Sequence, residues 1–150
     1  MACWVATKTR AWMDRAHGLL TETDLKRLSR ELNGLNPGTV PMVATHGDYQ
    51  PRNWLQENGQ IKVIDFGRAE KRPWVHDLVR LTHQQFVHRP DLAEAFYASL
   101  GRTVGPAEAD LWGLENLNQA VGTVVWAHQL GDTAFEQSGR EMVDRTLSGR

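Results

Sequence analysis

One cysteine, Cys3, stands among 150 residues, so no disulfide can close within the chain and a cysteine-based zinc cluster is excluded. No apolar run is long enough to span a bilayer, and Met1 to Arg10 lacks the pattern of a signal peptide. The expected location is therefore cytoplasmic. Charge of either sign is not in excess: the formal net charge is −1, which makes no case for a nucleic-acid partner or a membrane surface. Six histidines are present, yet His76, His83 and His88 follow no H-E-x-x-H spacing, so a zinc helix is not expected. Internal repeats and low-complexity tracts are lacking as well. With 41% hydrophobic and 23% charged residues, the composition suits an ordinary globular protein, and the length suits a single domain over residues 1–150.

What is there is concentrated between Thr45 and Asp77. His46-Gly47-Asp48 is followed by Asn53, and Asp65-Phe66-Gly67 closes an apolar run. Phosphoryl transfer from a nucleotide needs a carboxylate to orient the acceptor hydroxyl, oxygen ligands for magnesium, and charge stabilisation of the transferring group. Asp48 supplies a carboxylate for the acceptor. Asn53 and Asp65 supply the carbonyl and carboxylate oxygens that a hard, octahedral magnesium ion prefers.

The pattern resembles the catalytic and metal-binding loops of the kinase fold, and more closely those of the aminoglycoside phosphotransferase family. That family reads H-G-D-x-x-x-x-N, then I-D-x-G, then a D-L-A-like segment. The matching pieces here are His46-Gly47-Asp48 with Asn53, Ile64-Asp65-Phe66-Gly67, and Asp77-Leu78-Val79. An ordinary protein kinase carries Arg where this chain has Gly47 and continues into an A-P-E segment, which is missing. The resemblance implies an α+β, mostly helical fold: a protein-kinase-like carboxy-terminal lobe with a small β-hairpin next to the catalytic loop. It implies an ATP-dependent phosphotransferase, using Mg2+ and ATP or another nucleoside triphosphate, that moves the γ-phosphoryl group to a hydroxyl of a small molecule. Aminoglycoside-type antibiotics are acceptors in that family. Choline, sugar-amine and homoserine kinases resemble the same pattern, and the loop residues do not separate them.

In that family the position of His46 steadies the loop rather than acting as a base. Asp77, which follows Pro73 and Trp74 where a helix should begin, is read as a carboxylate cap on loop amides and not as a metal ligand. Arg52 and Arg68 could meet phosphate, but the preferred reading is that of exposed loop arginines.

Along the rest of the chain, Trp4, Val5, Ala11, Trp12 and Leu19 predict one amphipathic helix over 2–20. Thr21 to Asp24 offers caps to a second, which carries Leu25, Leu28 and Leu32 and stops at Asn33-Gly34. A short strand is expected over 40–45. Strands over 54–56 and 61–64 are expected to pair through the Asn58-Gly59 turn and to bring Asp65 back beside Asp48. Further helices are expected over 74–86, from Pro90 with Leu92, Ala93, Phe96 and Leu100 on a buried side, over 107–130 with Gly113 and Gly122 as interruptions, and from Gly131-Asp132 through Leu147.

The 45 residues before His46 contain neither a G-x-G-x-x-G run nor a V-A-I-K-like strand. The resemblance thus covers a carboxy-terminal lobe, and the amino-terminal nucleotide-binding lobe is expected to be absent. Nucleotide-contacting residues outside the loops are accordingly unknown. A second chain supplying that lobe is the expected partner beside the acceptor, and a catalytically incomplete fragment or interaction module is the alternative. Between Pro106 and Arg150, Glu108, Asp110, Glu115, Asp132, Glu136, Glu141 and Asp144 outnumber Arg140, Arg145 and Arg150. This excess agrees with a cationic acceptor.

Overall fold

Gly18 separates the first two helices. In the computed structural model, which describes residues 2–149, α1 (Ala2–Arg15) ends before Gly18, whose φ is +81°. Met1 and Arg150, both counted in the expected single domain, lie outside the described residues. The helix expected over 2–20 is therefore shorter at its C-terminal end, because a left-handed residue cannot continue the α-helical ladder. α2 (Glu22–Gly34) starts where Thr21 Oγ1 accepts the backbone N–H of Asp24 at 3.1 Å, and it buries Leu25, Leu28 and Leu32. The buried face of α1 matches the expected one in part: Val5 is buried and Trp12 packs, half-buried, against the core. Trp4 is exposed, with the Lys8 ammonium 5.2 Å above its ring, and Ala11 is exposed too, while Thr9 is buried. Thr9 tolerates burial because its hydroxyl donates to the Val5 carbonyl at 2.8 Å, which removes the cost of an unpaired polar group.

The chain divides into two compact units. The first combines the chain up to Val40 with the chain from Gly105 onward, and holds α1, α2, α5 (Ala109–Leu130) and α6 (Thr133–Ser148). Its core joins Val5, Leu28 and Leu32 to Leu114, Leu117, Val121 and Val124 of α5 and to Met142 and Val143 of α6. Gly113 and Gly122 do not interrupt α5, which runs unbroken. Gly122 instead makes room: a Cβ there would sit 3.0 Å from the Trp12 indole nitrogen. α6 begins where the Asp132 carboxylate accepts the N–H of Phe135 at 2.9 Å.

The second unit, Pro41–Val104, carries the H-G-D segment. β1 (Val43–Thr45) pairs antiparallel with β4 (Glu70–Arg72), Thr45 opposite Glu70. β4 is not apparent in the sequence, since Glu-Lys-Arg has neither alternation nor β-branching. The turn over Phe66–Arg68 returns it to β1. β2 (Trp54–Glu57) and β3 (Gln60–Val63) form the expected hairpin, with Asn58 and Gly59 at φ +50° and +76°, as a tight hairpin turn requires. α3 (His76–His83) is shorter than expected and buries Leu78, Val79 and Leu81. Trp74 precedes it in a turn and stacks under the Arg102 guanidinium at 4.1 Å. α4 (Pro90–Leu100) has no buried residue, contrary to the expected apolar side, and Leu92 and Leu100 are exposed. Its packing is aromatic: Phe96 and Tyr97 lie 5.6 and 6.4 Å from Phe86. Among the described residues the fold is α+β and mostly helical, and no helix is long and apolar enough to cross a membrane.

Candidate functional site

β1 delivers the chain into a loop that is fastened from three sides. The Asp77 carboxylate, in the first turn of α3, accepts the backbone N–H of His46 at 2.7 Å and of Gly47 at 2.8 Å. It caps loop amides, as its place in the sequence implied. His46 Nδ1 accepts the N–H of Asp48 at 3.2 Å, which leaves the proton on Nε2 to donate to the Ile64 carbonyl at 2.8 Å. Both ring nitrogens are thereby bound to backbone, so the side chain ties the loop to the end of β3. Aromatic rings complete the fastening. Phe66 lies 4.7 Å from His46, and Tyr49 lies 5.0 Å from Trp54.

Gly47 turns the loop at φ +79°. A Cβ there would fall 2.3 Å from the Arg68 carbonyl oxygen and 2.5 Å from Arg72 Nη1. No residue with a side chain fits this position, which accounts for glycine where protein kinases carry arginine. The space is taken by the Arg72 guanidinium, which donates to the Arg68 carbonyl at 3.0 Å and pairs with Glu70 at 2.7 Å.

Asp48 is buried, at 5% exposure, and remains charged through its partners. Oδ1 accepts from Gln50 Nε2 at 2.6 Å and from Arg80 Nη1 at 2.5 Å. Oδ2 accepts from Arg52 Nη2 at 2.7 Å and from Asn53 Nδ2 at 3.3 Å. Burial pushes the Asp48 carboxyl up; the Arg52 hydrogen bond, the charges of Arg80 and Arg52, and the Asn53 bond more than offset it. The group therefore titrates below the ordinary aspartate value of 3.8. Arg80 in turn is lowered by burial and by the charges of Arg52 and Arg68, against the opposing pull of Asp48.

Asn53 is buried in a single 3-10 turn over Pro51–Asn53, directly before β2. Its amide nitrogen also donates to the Asp48 carbonyl at 2.8 Å, so both donor contacts point to Asp48 and the carbonyl oxygen is the end left for a ligand. The Asn53 backbone carbonyl accepts the N–H of Ile64 at 2.9 Å, next in the chain to Asp65. Asp65 is exposed and left-handed, at φ +65° and ψ +62°, and its side chain makes no capping bond. One amide oxygen and one carboxylate are donors that suit a hard cation which keeps most of its other ligands as water and phosphate. Among the described residues no three His, Cys, Asp or Glu side chains gather to hold a metal without them.

The structure thus brings Asp48 and Asn53 into contact, and the hairpin returns the chain at Asp65 to the Asn53 backbone. Arg52, read as an exposed loop arginine, pairs with Asp48. Arg80 and Gln50 were not singled out from the sequence at all. The signal for Arg80 is a charge on a helix whose neighbours Leu78, Val79 and Leu81 are all buried. The acidic excess after Pro106 is largely engaged within its own unit. Asp110 accepts the N–H of Asn36, Asp132 caps α6, Glu136 pairs with Arg140 and His128, and Glu141 pairs with Arg145.

The model of the phosphotransferase enzyme family matches residues 2–113, well over half of the chain. The chain belongs to that family, whose fold is kinase-like and whose members are phosphotransferases. No curated protein and no solved structure matches it.

Proposed function

We propose that the chain is the carboxy-terminal lobe of a small-molecule kinase, moving the γ-phosphoryl group of ATP or another nucleoside triphosphate to a hydroxyl of its acceptor. The observation that carries this reading is the contact of Asp48 with Asn53 in a loop capped by Asp77 and tied to the base of the hairpin. Asp48 would orient the acceptor hydroxyl and take its proton. Asn53 Oδ1 and Asp65 would hold magnesium. When bound, that ion supplies neutralisation of charge on the nucleotide phosphates.

Family membership supports phosphotransfer, and the acceptor is part of the proposal. A cationic, aminoglycoside-type acceptor draws little support from acidic residues already engaged as caps and ion pairs, so choline, sugar-amine and homoserine acceptors stand beside it. Leu55 and Ile64, on the face of the hairpin that carries Lys62, are exposed near Asp65, as is Phe66, while Ile61 is exposed on the other face. An apolar surface there is what a nucleotide-binding half would cover, and we propose that such a half, with its phosphate lysine, is contributed from outside these residues or by a second chain. A cytoplasmic setting, where nucleotide and magnesium are available, belongs to the same proposal.

Incubation with magnesium, ATP and a panel of hydroxylated amines, alone and with candidate amino-terminal segments, tests the assignment by mass analysis of products. Asp48→Ala should lower turnover by about 10²–10⁴-fold. Asp65→Asn should remove magnesium-dependent nucleotide binding in calorimetry. An Asp48→Ala protein with full transfer activity would sink the reading. A second reading, a nucleotide-binding or interaction module without catalysis, is favoured by one observation: both Asp48 oxygens are already engaged by arginine. Turnover with any acceptor rejects it.

A further inference from the structure

A carboxylate offers about four lone-pair positions. At Asp48 they are all occupied, by Gln50 and Arg80 on Oδ1 and by Arg52 and Asn53 on Oδ2. An acceptor hydroxyl therefore finds no free position until one partner leaves. Three of the four are held in place. Asn53 is fixed by its second bond to the Asp48 carbonyl, Gln50 is buried, and the Arg80 side chain on α3 is only 25% exposed. The Arg52 side chain is 65% exposed and returns to water at little desolvation cost.

Charge points the same way. Two guanidiniums against one carboxylate leave a positive surplus, and Arg52 and Arg68 both repel Arg80. A polyphosphate arriving beside Asn53, the residue that follows Arg52 in the chain, meets this surplus directly. Guanidinium forms charge-assisted, bidentate bonds with phosphate oxygens as readily as with carboxylate.

We propose that Arg52 is an anion-triggered latch: in the free protein it closes on Asp48 Oδ2, and on arrival of a polyphosphate it moves to the phosphate oxygens and opens Oδ2 to the acceptor. The inference rests on the phosphotransferase reading for the identity of its ligand. It makes Arg52 a phosphate-binding residue and the gate of Asp48 together.

The test is calorimetric titration of the full chain with magnesium and inorganic triphosphate, which asks nothing of an adenine pocket. Arg52→Ala should weaken binding about tenfold, and Arg52→Lys should fall between that variant and wild type, because it keeps the charge and loses the bidentate fork. Asp48→Asn should tighten binding severalfold, since the carboxylate no longer competes for Arg52, and that gain should vanish when Arg52→Ala is added. Arg52→Ala binding as tightly as wild type overturns the latch, as does an equal gain from Asp48→Asn in both backgrounds, or no triphosphate binding by the wild-type chain. Should Asp48→Asn fail to fold, the two variants of the exposed Arg52 decide alone. Transfer is not read here. A chain that binds triphosphate through Arg52 and transfers nothing even with every candidate amino-terminal half added keeps the latch and loses the phosphotransferase reading; transfer without Arg52-dependent binding does the reverse.

Discussion

Two residues of the loop, Gly47 and Asp48, are constrained in opposite ways. Asp48 is constrained by what it binds: a buried carboxylate survives ionised only because arginine and amide donors surround it. Gly47 is constrained by what it lacks. A methyl group there meets the Arg68 carbonyl, which is backbone and cannot swing aside, and the left-handed φ disfavours any other residue. Gly47→Ala should therefore destabilise the protein by about 1–3 kcal/mol. Urea unfolding measures the loss. A variant as stable as wild type would show that the loop moves freely around Arg72. The H-G-D triplet was legible in the sequence, but the reason for its glycine was not, since Arg68 and Arg72 lie more than twenty positions away in the chain.

At the scale of elements, the close approach of α6 to α5 depends on Gly139. A Cβ at that position would lie 2.8 Å from the Val124 backbone nitrogen and 2.9 Å from its Cγ2. Helix propensity alone favours alanine over glycine by about 1 kcal/mol. Overpacking should reverse the sign, so that Gly139→Ala lowers stability by about 1–3 kcal/mol, visible as a lower melting temperature. A rise in melting temperature would mean that the two helices separate at no cost. Here again the elements themselves were legible. Leu25, Leu28 and Leu32 announced α2, and Asn58-Gly59 announced the hairpin, because period and turn chemistry are local. The failures were non-local. β4 exists because β1 is there to pair with it, and α4 leaves Leu92 and Leu100 in solvent because no element of its unit covers them among the described residues.

For the whole molecule, acid reports on the carboxylates that folding has paired. The Arg140 hydrogen bond, followed by the His128 bond, holds the Glu136 carboxyl below the ordinary glutamate value of 4.5, and Asp48 is also lowered. A depressed carboxylate contributes stability that is complete above its unfolded-state value and is lost as pH falls through its folded value. Unfolding free energy should accordingly decline on acidification through and below the ordinary carboxylate range. Glu136→Gln should make the decline shallower while costing less than about 1 kcal/mol at neutral pH, as surface pairs do. Urea titrations at neutral and acid pH check both points, and an unchanged acid slope would remove Glu136 as a source. The sequence by itself determined the family, the helical α+β class, and the order Asp48, Asn53, Asp65, Asp77, because motif spacing and hydrophobic period are written along the chain. Only the tertiary structure decided that Arg52 and Arg80 close on Asp48 and that Arg72 fills the space beside Gly47. Those contacts join residues up to 32 positions apart, and long-range pairs are chosen by how elements pack, which no local pattern encodes.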